Sequence, residues 1–109
     1  MTHECFHTRG MYATSLALSR QAEVLGVLAN QTRLHMLYLL GQRARTVQEL
    51  VVQTGKSQSS TSQHLKILRE TGVVEVSAMG RYRVYSLSHQ GYADMQELLF
   101  VVLRRQGER

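Results

Sequence analysis

TVQELVVQTGKSQSSTSQHLKILRETG, residues 46–72, is the stretch that decides the fold. It opens with a capping box, Thr46-Val47-Gln48-Glu49: the threonine hydroxyl accepts from the N–H three residues on, and the glutamate reaches back. The short helix that follows turns Val47, Leu50 and Val51 inward and ends at Gly55, where glycine supplies a left-handed cap. Lys56-Ser57 makes the turn, and Ser57 is placed to N-cap a second helix. Within that helix Thr61, Leu65 and Leu68 recur at helical spacing on one side, and Gly72 stops it. Two short helices joined by a tight turn make a helix-turn-helix.

Downstream of Gly72 the pattern changes from helical to alternating. Val74 and Val76 alternate with Glu75 and Ser77, Met79-Gly80 turns the chain, and Tyr82 and Val84 alternate with Arg81, Arg83 and Tyr85. This predicts a β-hairpin with arginines at its tip and on its returning arm. A last helix is predicted from Ser88 to Arg105, with Tyr92, Met95, Leu98, Leu99 and Val102 on one side.

Upstream, Leu18, Ala22, Leu25 and Leu28 predict a first helix over residues 15–29. Asn30 is suited to end it and to N-cap a second, Gln31 to Leu40, with Leu34, Leu37 and Leu40 on one face and Gly41 as its stop. Arg43 and Arg45 then fall in a loop. The order is α-α-α-α-β-β-α: a mainly α chain with a small β-hairpin, a winged helix-turn-helix. Residues 1–14 read as a polar arm, and 15–109 as one DNA-binding and dimerisation domain. A domain of 109 residues buries less than about 70% of its unfolded surface, so a second copy would help complete its core.

The exposed side of the second motif helix presents Gln58, Ser59, Ser60, Ser62, Gln63, His64 and Lys66, preceded by Lys56 and Ser57. Serine is a poor helix-interior residue, so four serines within residues 57–62 serve something other than helicity. Short hydrogen-bonding side chains on a thin helix fit the major groove, where glutamine pairs bidentately with adenine. Serine hydroxyls and helix-terminal N–H groups suit phosphates. His64, beside Leu65, is open to two readings, a base contact or a hydrogen-bonded support of the domain. The net charge of +5 and a pI near 9.9 suit a polyanionic partner. The basic residues are nearly all arginine, whose planar fork matches phosphates and guanine edges.

Three blocks carry a family resemblance: Leu28-Ala29-Asn30-Gln31-Thr32-Arg33-Leu34; then Ser57 through Val74; then Gly80-Arg81-Tyr82-Arg83-Val84-Tyr85-Ser86-Leu87. Together, in this order from Val24 to Leu87, they resemble the ArsR/SmtB family of repressors. The resemblance implies a homodimer joined by the first and last helices and bound to an imperfect palindromic operator in double-stranded DNA. It places residues 58–71 in the major groove and Arg81 with Arg83 at a neighbouring minor groove, where narrow A/T-rich sequence favours arginine. It also implies repression by covering a promoter, relieved by a ligand that is often a metal ion.

The familiar sensing sites are not intact. Thr46 and Gln48 stand where a Cys-x-Cys pair is found in family metal sensors. On the last helix His89, Asp94 and Glu97 are available, but Gly91, Val102 and Arg105 occupy positions expected to hold ligands. The single cysteine, Cys5, rules out an intrachain disulfide and a cysteine-only zinc site. The remaining metal candidates are His3, Cys5 and His7, with Glu4 between them, a donor set suited to nickel, zinc or copper. His35 is assigned no ligand role.

No charged-then-apolar leader opens the chain, and its longest apolar run, Leu98 to Leu103, is too short to span a membrane. A cytoplasmic location with no membrane partner is expected. An enzyme is disfavoured, since no phosphate-binding loop or nucleophile elbow is present. The competing reading is a winged-helix protein-interaction module that does not read DNA.

Overall fold

The structure, a computed structural model, describes the backbone of residues 2–97 and the side chains of residues 15–97. Its elements are α1 (Thr2–Leu28), α2 (Gln31–Gln42), β1 (Arg45–Thr46), α3 (Val47–Thr54), α4 (Gln58–Thr71), β2 (Val74–Met79) and β3 (Tyr82–Leu87), then a helix over residues 89–97, α5. The α-α-α-α-β-β-α order is therefore present, with one strand added. β1 is too short to show alternation in sequence. It pairs antiparallel with β3, Arg45 opposite Tyr85 and Thr46 opposite Val84, giving a sheet of order β1-β3-β2.

Local signals held wherever a side chain bonds backbone within its own turn. Asn30 caps α2 by accepting from the Arg33 N–H at 3.0 Å. The capping box of α3 has both its bonds, Glu49 N–H to Thr46 Oγ1 at 3.2 Å and Thr46 N–H to Glu49 Oε1 at 2.9 Å. Gly55 and Gly72 sit at left-handed φ of 73° and 85° and close α3 and α4. The first helix begins earlier than its apolar periodicity, so the backbone of residues 2–14 is helical where an arm is expected from sequence. Proline is absent from the chain, so nothing in that segment blocks helix continuation.

Faces that depend on tertiary packing differ from the sequence reading. Helix α2 runs through Gly41 to Gln42, because Gly41 does not take the left-handed conformation by which a glycine ends a helix. It touches α1, α3, α4 and β3 and buries Met36, Leu37, Leu39 and Leu40, whereas Leu34 turns outward with Tyr38. Arg45 is buried rather than in a loop. Its Nε donates to Leu39 O at 3.0 Å and its Nη2 to Gln42 Oε1 at 2.8 Å, closing the carboxyl end of α2.

The phase of β3 is also shifted by one residue. Val74 pairs with Leu87 and Val76 with Tyr85, so Tyr85 is buried, whereas Tyr82 is exposed and Val84 half-buried. Because side chains alternate with period two, a slip of one residue exchanges the whole inward set. On α5 the inward residues are Gly91 and Asp94, with Met95 half-buried and Tyr92 exposed. A Cβ on Gly91 would overlap the Val73 carbonyl, so α5 can approach the end of α4 this closely only at a glycine. Leu98, Leu99 and Val102 lie outside the described residues. The core joins Val24 and Leu28 of α1, the buried face of α2, Leu50, Leu65, Leu68, Val73, Val74 and Tyr85.

Candidate nucleic-acid interface

The turn between α3 and α4 is held by short side chains. Thr54 Oγ1 donates to Leu50 O at 2.7 Å and accepts from the Lys56 N–H at 3.3 Å, which fixes how the chain leaves α3. Ser57 then accepts from the Ser60 N–H at 3.0 Å and starts α4. Its hydroxyl proton is left free to donate. Helix α4 lies on the core through Thr61, Leu65, Leu68 and Thr71, all buried.

That anchoring settles which side chains face outward. Lys56, Ser57, Gln58, Ser59, Ser62, Gln63 and Lys66 are exposed, and Ser60 is half-buried. In the hairpin between β2 and β3, Gly80 (φ +63°) and Arg81 form the turn, and Arg81 and Arg83 are exposed. The residues singled out from sequence thus occupy one exposed helix face and the tip of one hairpin.

His64 differs from the rest of its face. It is half-buried, and Arg33 Nη1 lies 3.3 Å from its Nδ1. A guanidinium only donates, so Nδ1 accepts and the ring proton resides on Nε2. Burial, then the positive charges of Arg33 and Lys56, push its pKa below the ordinary histidine value. The imidazole is therefore neutral at pH 7, tethered on one side and a donor on the other. Arg33 is itself fixed by its Nε–H to Val27 O at 2.7 Å, so one side chain ties the end of α1 to the middle of α4.

Sequence reasoning missed Arg69. With Ser62, Lys66, Glu70 and Tyr85 it lines an open groove of about 400 Å³ between α4 and the sheet. The signal was present, since residues 62, 66 and 69 share one side of a helix. Four of the arginines are engaged within the protein. Arg20, Arg33 and Arg45 are engaged with internal backbone carbonyls, and Arg43 pairs with Glu49 at 2.9 Å. The last contact, with the Thr46 N–H, holds the Glu49 carboxyl below its ordinary range.

The sequence model for bacterial regulatory proteins of the arsR family matches residues 30–76, from the cap of α2 into β2. The arsenical resistance operon repressor of Bacillus subtilis is 31% identical over 84% of this chain and 89% of that protein. The chain belongs to the ArsR family. Its fold matches the crystal structure of Mycobacterium tuberculosis Rv0081 with a TM-score of 0.71 at 32% identity, over 84% of this chain and 93% of that one. It also matches the solution structure of the homodimeric winged helix-turn-helix DNA-binding domain Mb0332 from Mycobacterium bovis (TM-score 0.72, 30% identity, 87% of this chain and 88% of that one). As a member of the ArsR family the protein is a transcriptional regulator with a winged-helix DNA-binding fold; the family and these relatives are regulators, not enzymes. Among the described residues no helix is long and apolar enough to cross a membrane.

The described residues at the family's two metal positions are engaged in other contacts or carry no strong donor. Thr46 is committed to capping α3, and Gln48 is neither thiol nor imidazole. Asp94 accepts from Arg20 at 2.7 Å and from Gln90 at 3.0 Å, and Glu97 accepts from Gln21 at 3.2 Å. No group of three or more His, Cys, Asp or Glu is positioned to hold a metal among the described residues. The side chains of His3, Cys5 and His7 lie outside them.

Proposed function

We propose that this ArsR-family regulator binds an imperfect palindromic operator as a homodimer and represses by covering the promoter. The observation that carries the reading is the outward face of α4: Gln58, Ser59, Ser62, Gln63 and Lys66 are exposed on a helix whose other side is fully anchored. Gln58 and Gln63 read base edges, while Lys56, Ser57, Ser60 and Lys66 meet phosphates. Neutral His64 donates from Nε2, and Arg81 with Arg83 enters the flanking minor groove.

Dimerisation through α1 and α5 is supported by apolar side chains left uncovered on both. Leu16, Leu18 and Leu25 are 72%, 56% and 51% exposed on α1, and Tyr92 is 54% exposed on α5. A second copy would cover a patch of this kind.

Fluorescence anisotropy on an operator selected from random duplexes tests the reading, with light scattering confirming a dimer. With 6–10 phosphate contacts, affinity is expected to fall about 10³–10⁵-fold between 50 and 200 mM salt. Gln58→Ala should cost about 1–3 kcal/mol on the selected site and far less on random DNA. Arg81→Ala should weaken A/T-flanked sites more than G/C-flanked ones. Equal affinity for selected and random duplexes would leave a winged-helix module that docks protein instead.

A further inference from the structure

The exit of α4 is gripped at three successive backbone carbonyls. Thr71 O accepts from Arg20 Nη1 at 2.7 Å, Gly72 O from Ser88 Oγ at 2.6 Å, and Val73 O from the Ser88 N–H at 3.0 Å. Two of these donors belong to the start of α5 and one to α1. Arg20 joins them, because its other terminal nitrogen, Nη2, donates to Asp94 Oδ2 on α5 at 2.7 Å. Gln90 holds the second oxygen of Asp94 at 3.0 Å, and the carboxylate is 8% exposed.

One guanidinium therefore connects three elements: α1 and α5, whose outer faces carry the uncovered apolar side chains, and the last residue of the helix that presents Gln58 to Lys66. The bond to α4 is made to a carbonyl at its terminus, so Arg20 constrains the axis of the helix and no side chain on its reading face. Arg20 Nε is buried with no partner among the described residues, and leaving a buried donor unpaired costs stability. Such an arrangement is a poor device for stability alone, and a fitting one for fixing a geometry.

We infer that Arg20 is a positioning residue that sets the separation of the two reading helices in the dimer, and so makes the protein selective for the spacing of operator half-sites. The inference rests on the operator-binding dimer proposed above. Inserting one base pair between half-sites moves them by about 3.4 Å and rotates them by about a tenth of a turn. A reading helix tied to the dimer helices cannot follow that displacement, whereas one released at its carboxyl end can tilt to do so.

The test compares wild type with Arg20→Met and Asp94→Asn on four duplexes: the selected operator, the same operator with one base pair inserted or removed at its centre, and an isolated half-site. Dimer mass and thermal melting are recorded alongside. For Arg20→Met we expect half-site affinity within about twofold of wild type and a spacing preference flattened by at least about fivefold, at the low end of ordinary coupling between sites. Asp94→Asn retains an acceptor for Arg20 and should flatten the preference less, in the same direction. A merely structural role would weaken all four duplexes in proportion. An unchanged spacing preference in a folded, dimeric Arg20→Met protein overturns the inference. Should that variant not fold, Asp94→Asn decides alone, with an unchanged preference again overturning it. Wild type showing no preference for the selected operator over random DNA would overturn the operator reading itself, a result distinct from either.

Discussion

Gly91→Ala tests the contact that brings α5 onto the end of α4. A Cβ at residue 91 would lie 2.7 Å from the Val73 carbonyl carbon and 2.8 Å from its Cα. These are backbone atoms, and Val73 is fully buried, so no side chain can swing away. The carbonyl oxygen lies closer still, so restoring ordinary contact near 3.4 Å requires α5 to retreat by roughly 1.4 Å. Overpacking of this kind costs about 1–3 kcal/mol. The retreat also stretches the Ser88 N–H to Val73 O bond, whose loss adds about 1 kcal/mol. Alanine's better helix propensity returns about 0.5–1 kcal/mol, leaving a net destabilisation of about 1–3 kcal/mol. For a domain near this size that corresponds to a melting temperature lowered by roughly 5–20 °C. Gly41→Ala supplies the contrast. Its Cβ would sit 3.9 Å from Leu87 Cδ1, and it should stabilise by about 0.4–1 kcal/mol through lost unfolded-state entropy. Calorimetry at one fixed protein concentration reads both, because a dimer's melting temperature shifts with concentration. A Gly91→Ala protein that melts at or above wild type, or two substitutions that shift in the same direction, would refute the close contact of α5 with Val73.

Two further outcomes concern the helix-turn-helix. Thr46→Ala removes one arm of the capping box and should cost about 1 kcal/mol, seen as a lower urea midpoint at unchanged m-value. His64 gives stability a pH dependence of definite sign. Its folded pKa lies below the ordinary 6.5, so below that pH the unfolded chain binds more protons and stability is lost as pH falls from 6.5 toward the folded pKa. His64→Gln should flatten this slope in denaturation curves between pH 7 and pH 5, and a wild-type curve that rises on acidification would contradict the neutral, Arg33-tethered imidazole.

What was legible in the sequence was what a residue does to its own turn. Thr46, Ser57, Gly55 and Gly72 bound two helices correctly because caps bond backbone within a few residues. The periodicity of α4 was legible for a related reason: Thr61, Leu65 and Leu68 face a core on one side only. Helix α2 defeated the same rule, since packing against α1, α3, α4 and β3 leaves no single stripe to detect. In β3 both alternating sets contain two apolar residues, Tyr82 with Val84 and Tyr85 with Leu87, so only the pairing with β2 selects the phase.

The polar interior was hidden for a deeper reason, and it changes how the basic charge is understood. Arg20 and Asp94 are 74 residues apart, Arg33 and His64 are 31 apart, and no local pattern marks either pair. Each ties α4 to a different layer. Arg33 fixes its middle to the ends of α1 and α2, and Arg20 fixes its exit to α1 and α5. The arginines therefore divide into two populations by what they can reach. Arg69, Arg81 and Arg83 remain exposed, where a planar cation is available to an anionic partner. Arg20, Arg33 and Arg45 donate to carbonyls in the last turns of helices, where backbone partners run out, and Leu39 O also accepts from the Arg43 N–H at 3.4 Å. A winged helix with so small a core holds α4 in place partly through the forks of Arg20 and Arg33. On the operator-binding function proposed above, replacing an exposed arginine should change affinity for DNA, and replacing Arg20 should change which arrangement of sites is bound.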